Sequence, residues 1–269
     1  MRTAPDLYRR LIAIQLRAQL QYPAAFWFSV FTTGLFTTFS FGSLALILQR
    51  FEGIGGWTLG EVAFLYGMIE VAFGMMDMLF SGFDPPYFGQ HVRRGQFDQL
   101  LLRPANITLQ ILGSRLEIRR IGRIAQGFVI FGVAVALTDL HWSPIKIAYL
   151  PLVLASLVSF FGGLFIVGAT LSFWTVESLE VINILTYGGN EMLAYPMHIY
   201  RDWMRRFFTF VIPAIFLNYY PALYFLDKPD PFNLPPFASF LAPLVGLGTL
   251  AVALKFWQLG IRHYTSTGS

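Results

Sequence analysis

The sequence has no cysteine and little charge, and each shortage excludes a class of protein. Without cysteine, the chain forms no disulfide bond and offers no thiolate to a metal ion. Charged residues make up 13% of the 269 positions, whereas they make up about 25% of a typical soluble domain. Lysine is scarce as well, since it supplies only three of the 19 basic side chains. The composition therefore argues against a soluble domain and against a nucleic-acid-binding surface.

Motifs for nucleotide and metal chemistry are also missing from the sequence. A phosphate loop needs the pattern G-x-x-x-x-G-K-[ST], and none of the lysines, Lys146, Lys228 and Lys255, follows a glycine. The histidines are scattered without the spacing of metal ligands. We therefore expect no metal site in this chain. If ATP powers the protein, a separate subunit must hydrolyse it.

What the chain does contain is long apolar runs, with 55% hydrophobic residues and a mean hydropathy of +0.57. The first run, Phe26–Leu48, is too long for a signal peptide and long enough to cross a bilayer. We predict one all-α domain, residues 1–269, that is a polytopic membrane protein with six transmembrane helices. Five of these are expected near Phe26–Leu48, Leu59–Phe83, Ile124–Leu140, Ile147–Trp174 and Phe232–Leu254.

The third of these spans is the weakest, because its uncharged stretch ends at Leu137. It crosses only if Arg123 snorkels to the interface and the helix continues to about Leu140. Basic residues, mostly arginines, concentrate near the N-terminus and in the loop after the second span, and Lys255 and Arg262 lie near the C-terminus, so we expect those regions to be cytoplasmic. Residues 6–22 predict an amphipathic helix in the membrane interface, broken by Pro23, although Gln15 and Gln19 fall on its apolar side.

The loop at 84–117 is basic and apolar at once. Gly95 precedes a stretch, Gln96–Leu102, that is long enough for about two helical turns before Pro104 ends it. Asn106 is a candidate cap for a second helix that would continue through Leu116 into the third span. We expect an exposed apolar surface ringed by arginines, formed by Phe97, Leu100 and Leu101. Such a surface could rest on lipid or could dock a cytoplasmic partner.

The segment Gly95–Pro104, "GQFDQLLLRP", resembles the loop motif of ABC type-2 exporter permeases. In Tyr195–Leu223 the prolines Pro196 and Pro213 are spaced as in the same family. The end, "LGIRHYTSTGS", is similar to the tail of the branch whose permeases are often encoded in pairs. By span count and loop order, the resemblance covers the whole chain.

The resemblance implies a non-enzymatic subunit of an ATP-driven exporter in the bacterial inner membrane, with both termini cytoplasmic. ATP and Mg would be bound by a separate cytoplasmic ATPase, with no cofactor in this chain. A second permease, identical or paralogous, would complete the transporter, membrane lipids would surround it, and the substrate would be an unidentified, amphipathic or lipid-like molecule. The implied ATPase-docking residues are Arg93, Arg94, Gly95, Phe97, Asp98, Leu100, Leu101, Arg103 and Pro104.

The fifth crossing has two interpretations. Hydropathy favours Phe207–Leu226, which is uncharged. The family resemblance favours Ser178–Tyr195 and makes residues 196–226 a re-entrant hairpin on the outer side, bent at Pro213 and Pro221. Re-entrant backbone is tolerated only where protein buries it. We prefer the second interpretation.

Several polar residues fall inside the predicted spans. Glu70 and Asp77 lie on one face of the second span among small residues, where they either pair with neighbouring helices or line a transport path. The candidate path residues are Glu70, Asp77, Asn183, Asn190 and Glu191. Hydroxyls at Ser29, Thr33, Thr37 and Ser40 can bond their own helix. Two other functions stay open, a lipid-modifying enzyme and an ion-coupled carrier, and both would use the carboxylates.

Overall fold

The computed structural model describes residues 4–50, 53–175 and 180–265, which form helices and no β-strand. The prediction of an all-α polytopic membrane protein is confirmed, with five helices long and apolar enough to cross and a bent pair that could supply a sixth. The helices are α1 (Ala4–Leu20), α2 (Pro23–Arg50), α3 (Leu59–Leu79), α4 (Pro85–Arg93), α5 (Gln96–Leu101), α6 (Ile107–Ser114), α7 (Ile121–Leu137), α8 (Pro144–Thr175), α9 (Glu180–Asn183), α10 (Gly189–Leu193), α11 (Asp202–Arg206), α12 (Tyr219–Phe225) and α13 (Ala242–His263).

Helix α3 is the centre of the bundle. The rest of the protein buries 83% of the most apolar 18-residue stretch of α3, whereas it buries 6% of the corresponding stretch of α2. Thr58 caps its first turn, since the hydroxyl accepts a bond from the Glu61 amide and the Glu61 carboxylate accepts one from the Thr58 amide. Helix α3 is therefore deeply buried although it carries Glu61, Glu70 and Asp77, whereas α2 lies at the outside of the bundle with most of its surface exposed.

Glycines allow α3 and α7 to pack closely. A Cβ on Gly67 would lie 2.8 Å from the Phe131 Cα, and one on Gly127 would lie 2.8 Å from the Val71 amide nitrogen. Real side chains do not approach backbone atoms that closely, so both positions require glycine. The small residues on the second span thus allow a neighbouring helix to approach, as the sequence predicts.

Two expectations for the third span are wrong. Helix α7 ends at Leu137, and Thr138 is extended, so the helix does not continue to Leu140. Arg123 does not snorkel, because its side chain is 13% exposed and is paired with Glu70 inside the bundle. An internal carboxylate partner removes the need to reach the interface.

The N-terminal helix is fastened to the loop that follows α6. Gln15 donates to the Ser114 carbonyl at 2.6 Å, and Gln19 both donates to the Leu116 carbonyl and accepts from the Ile118 amide. These bonds explain the two glutamines on the apolar side of α1. Helix α1 therefore packs against protein. It ends at Leu20, before Pro23, the residue expected to break it, and α2 begins at Pro23.

The chain after α8 turns back on itself. Residues 180–193 are helical, with a π-helical turn at Ile184–Gly188. The helical segments Asp202–Val211 and Ala214–Phe225 then meet at 79°. His198 contacts the Gly55 carbonyl at 2.7 Å, and Lys228 donates to the Gly56 carbonyl at 3.3 Å. The bent pair therefore begins and ends at the same end of the bundle, which favours a hairpin.

Two sequence features of this region extend beyond the described residues. Ser178, where the preferred fifth crossing begins, lies outside them, as do the last four residues of the C-terminal motif. The part of the crossing that is described, residues 180–193, starts beside Asp84, with which Glu180 and Asn183 share a cavity. It ends where Asn218 donates to the carbonyls of Leu65 and Leu193. It therefore extends from one end of α3 towards the other.

Candidate functional site

A polar cleft of about 390 Å³ lies among α2, α3, α7 and α10. It brings the carboxylates Glu70 and Glu191 together with two arginines of the third span. Hydroxyls of the first span form the opposite wall. The residues lining the cleft are Thr32, Thr33, Phe36, Thr37, Ser40, Tyr66, Glu70, Arg120, Arg123 and Glu191.

Glu70 and Arg123 form a bidentate ion pair in this cleft. The Arg123 Nε lies 2.5 Å from Glu70 Oε2, and Nη2 lies 2.8 Å from Oε1. The side chains are 3% and 13% exposed, and the guanidinium also lies 4.7 Å from the centre of the Phe73 ring. Two parallel charge-assisted bonds fix both side chains. Glu70 therefore joins α3 to α7, as the packing interpretation requires.

Asp77 forms a looser pair with Arg120. Arg120 Nε lies 2.8 Å from Asp77 Oδ2, and the carboxylate side chain is 5% exposed. The geometry is poor for a hydrogen bond, and among the described residues neither atom has another hydrogen-bond partner. The attraction is thus mainly charge on charge. Asp77 lies about two helical turns closer than Glu70 to the loop that carries α4 and α5.

The hydroxyl groups on α2 donate hydrogen bonds to backbone carbonyls of their own helix. Thr33 donates to the Ser29 carbonyl, Thr37 to the Thr33 carbonyl, and Ser40 to the Phe36 carbonyl, at 2.8–3.1 Å. This is the local bonding expected of hydroxyls within a helix. The hydroxyl oxygens can accept hydrogen bonds from a molecule in the cleft, whereas their protons are already used.

The candidate path residues do not share one cavity. Glu70 and Glu191 line the polar cleft, whereas Asn183 lines a second cavity beside Asp84 and donates to Glu180 at 3.1 Å. Asn190 is 2% exposed and its amide lies 3.5 Å from Glu191. Sequence reasoning missed Arg120 and Arg123 as members of this site because it assigned them to a loop and an interface.

The loop after α3 is folded rather than extended. Gly95 has a φ of 65°, a left-handed value that favours glycine, and it separates α4 from α5. Asn106 caps α6 by accepting from the Leu109 amide at 3.1 Å, as predicted. The predicted continuation of this helix through Leu116 is wrong, because α6 ends at Ser114 and Arg115 is extended. The helix is interrupted where Gln15 and Gln19 of α1 bond to the backbone of Ser114 and Leu116, and these contacts between distant residues are not visible in the local sequence.

Phe97 is buried, so the expectation that it is an exposed anchor is wrong. Its ring is fully enclosed by Phe88 of α4, Phe173 of α8 and Trp257 of α13, at centroid distances of 5.7, 4.9 and 6.2 Å. Edge-to-face aromatic packing holds α5 against the ends of two long helices. Leu100 is half-buried against the same cluster. The aromatic residues Phe173 and Trp257, near the ends of the fourth and last spans, were the sequence feature that could have indicated a buried position for Phe97.

The exposed apolar residues of the loop follow Leu100 directly in the sequence. Leu101 is 39% exposed and Leu102 is 85% exposed. Arg93, Arg94, Arg103 and Pro104 are also exposed. The sequence therefore predicted a basic apolar surface correctly in kind, but its apolar part is Leu101 and Leu102 rather than Phe97 and Leu100.

Asp84 lies at the junction between α3 and this loop. Its Oδ2 is 3.8 Å from Arg115 Nη1, and its Oδ1 is buried without a hydrogen-bond partner among the described residues. Burial raises the pKa of Asp84 to about 6, although the nearby Arg115 opposes the rise. The carboxyl group therefore loses its proton at a higher pH than a solvated aspartate does.

Comparison with known proteins gives one match. The model of a family described as "ABC-2 family transporter protein" matches residues 35–268, which is most of the chain. Searches of curated proteins and of solved structures find no match.

Proposed function

Since the chain belongs to the ABC-2 family of transporter proteins, we propose that it is the membrane-spanning permease subunit of an ATP-driven exporter. It is a membrane transport component, and the ATPase is a different protein. ATP and Mg bind to that cytoplasmic subunit. A second permease, identical or related, completes the path, and the exported molecule is amphipathic.

One observation supports the proposal most directly, namely an exposed basic and apolar loop that is rigidly attached to the bundle. Leu101 and Leu102 are exposed, and the exposed Arg93, Arg94 and Arg103 belong to the same loop. Apolar anchors within a polar rim are typical of a protein-docking surface.

The attachment of the loop suggests how ATPase movement reaches the spans. Phe97 connects α5 to α8 and α13, and α6 is held by α1 through Gln15. A push on Leu102 therefore reaches two transmembrane helices through packed aromatic rings, without a flexible linker. Packed cores move between discrete arrangements rather than deform continuously, so such a push is transmitted.

We further propose six crossings, with both termini in the cytoplasm of a bacterial inner membrane. In this arrangement residues 178–195 form the fifth crossing and 196–226 form an outer hairpin. The contacts of His198 and Lys228 with adjacent carbonyls support the hairpin. The engagement of Glu70 by Arg123 weighs against an enzyme or carrier that needs Glu70 as a free acid, base or ion ligand.

Co-purification tests the docking surface. Changing Leu101 and Leu102 to aspartate in the full-length permease, co-expressed with the candidate ATPase, should abolish retention of the ATPase on affinity-tagged permease. Both side chains are exposed, so the substitutions remove little internal packing. Leu100→Asp is a poorer choice, because Leu100 packs against the core.

The matched control is Leu20→Asp. Leu20 is 48% exposed at the end of α1 and lies outside the docking surface, so this variant should retain the ATPase. Normal retention by the double aspartate variant would contradict the docking assignment. Size-exclusion elution of each variant checks that the fold survives.

A further inference from the structure

A third, largely apolar cavity lies between the fifth-crossing helix and the first arm of the hairpin. Its volume is about 530 Å³, within the range of pockets that hold drug-sized molecules. We call it the aromatic groove, after the rings that line it. These belong to Tyr195, Tyr200, Trp203, Phe207 and Phe208.

Glu191 is the one acidic residue that lines the aromatic groove, and it also lines the polar cleft. The carboxylate therefore lies where an apolar cavity meets a polar one. A molecule that occupied both would place its apolar part among the rings and its polar part at Glu191.

Glu191 is exposed, unlike Glu70 and Asp77, which are buried inside the bundle. Glu70 is paired with Arg123 and Asp77 with Arg120, whereas no cation of the described residues lies within salt-bridge distance of Glu191. Its side chain accepts one long contact from the Asn190 amide, at 3.5 Å. Arg123, the nearby cation, is already bound at both ends of its guanidinium fork by Glu70. Glu191 thus makes no direct ion pair with a described cation, although Arg120 and Arg123 line the polar cleft beside it.

From this charge and these rings we infer that the aromatic groove binds an amphipathic organic cation, which is the substrate class of the proposed exporter. The inference rests on the proposed function for its physiological meaning. The positive group lies against Glu191, and aromatic faces attract cations as well as apolar groups. An anion of the same size and shape does not bind there, because Glu191 repels it and the cleft arginines, Arg120 and Arg123, are already paired with Asp77 and Glu70.

Binding of tetraphenylphosphonium tests the inference, with tetraphenylborate as an anion of the same shape. The full-length permease is placed in phosphatidylcholine nanodiscs, and equilibrium binding is measured after subtraction of empty nanodiscs. We expect saturable binding of the cation and none of the anion. Glu191→Gln should weaken binding about tenfold or more, the loss expected when a charged partner is removed, and Glu191→Asp should keep most of it.

The matched control is Glu180→Gln, which removes the same charge from the same crossing but outside the aromatic groove. It should leave binding unchanged. In the groove itself, Trp203→Ala should weaken binding and Trp203→Phe should preserve it, since only the second retains an aromatic face. Equal binding of cation and anion, or unchanged binding by Glu191→Gln, would overturn the inference.

This measurement does not involve the ATPase, so the two proposals fail separately. If the wild-type permease retains its ATPase through Leu101 and Leu102 but binds no cation, the substrate class is wrong and the exporter assignment stands. If the cation binds through Glu191 while the aspartate loop variants keep the ATPase, the site stands and the docking assignment is wrong.

Discussion

Replacing either partner of the Glu70–Arg123 pair should destabilise the protein far more than replacing both. The pair is bidentate, with nitrogen–oxygen distances of 2.5 and 2.8 Å, and the side chains are 3% and 13% exposed. Glu70→Met leaves a nearly buried guanidinium without a counter-charge, and Arg123→Met leaves a buried carboxylate. Removing one partner of such a pair costs about 3–5 kcal/mol, whereas two apolar residues of similar volume are often tolerated.

Thermal unfolding of the purified variants in detergent provides the assay. A loss of about 3–5 kcal/mol corresponds to a Tm lowered by roughly 10 °C for a chain of this size. The double methionine variant should unfold within a few degrees of the wild type. Asp202→Asn is the control, since its pair with Arg205 is exposed at the carboxylate, 73%, and it should shift Tm little.

Whether the stability losses of the two single variants add in the double variant shows if the two side chains interact. If the pair joins α3 to α7, the double variant recovers most of the stability lost by each single variant. If the two losses simply add, the side chains act independently and the reasoning from their geometry is wrong. Near wild-type stability of Glu70→Met alone would also refute it.

Two further predictions concern the loop junction and the topology. The pKa of Asp84, raised by burial from 3.8 to about 6, means that the folded protein binds more protons than the unfolded chain between these values, so stability should fall as pH rises from 4 to 6. Asp84→Asn should remove that dependence and raise stability at pH 7 by on the order of 2 kcal/mol, and an unchanged pH profile of Tm would contradict the assignment. Because the chain has no native cysteine, a single cysteine at Arg206 should react with an impermeant maleimide in intact cells, and one at Ser114 only after permeabilisation. Labelling at Ser114 in intact cells would reverse the orientation, and protection at Arg206 would favour Phe207–Leu226 as the fifth crossing.

The long helices were predictable because the bilayer imposes length and apolarity on each of them. Helices α2 and α8 match the runs that begin near Phe26 and Ile147. The cap at Asn106 was predictable for a different reason. Its side chain bonds the amide three residues later, and helix caps of this kind have a recognisable residue preference in the sequence. Such features depend on neighbours along the chain.

Features that depend on distant neighbours were not predictable. Phe97 looked like an exposed anchor because its sequence neighbours are charged, yet rings from α8 and α13 enclose it. Arg123 looked like an interfacial residue because hydropathy treats each charge alone, whereas Glu70 lies opposite it across α3 and α7. The aromatic groove likewise forms from two segments that fold back on each other, which periodicity within either segment does not reveal.

The π-helical turn at Ile184–Gly188 has a geometric consequence for the fifth crossing. A π turn contains one residue more than the α-helical turn it replaces, and each residue of an α-helix turns the chain by about 100°. Relaxation of this turn to α-geometry would therefore rotate Asn183 relative to Glu191 by about that angle. In the proposed fifth crossing, such a rotation would change the cavity that Asn183 faces relative to the one that Glu191 faces.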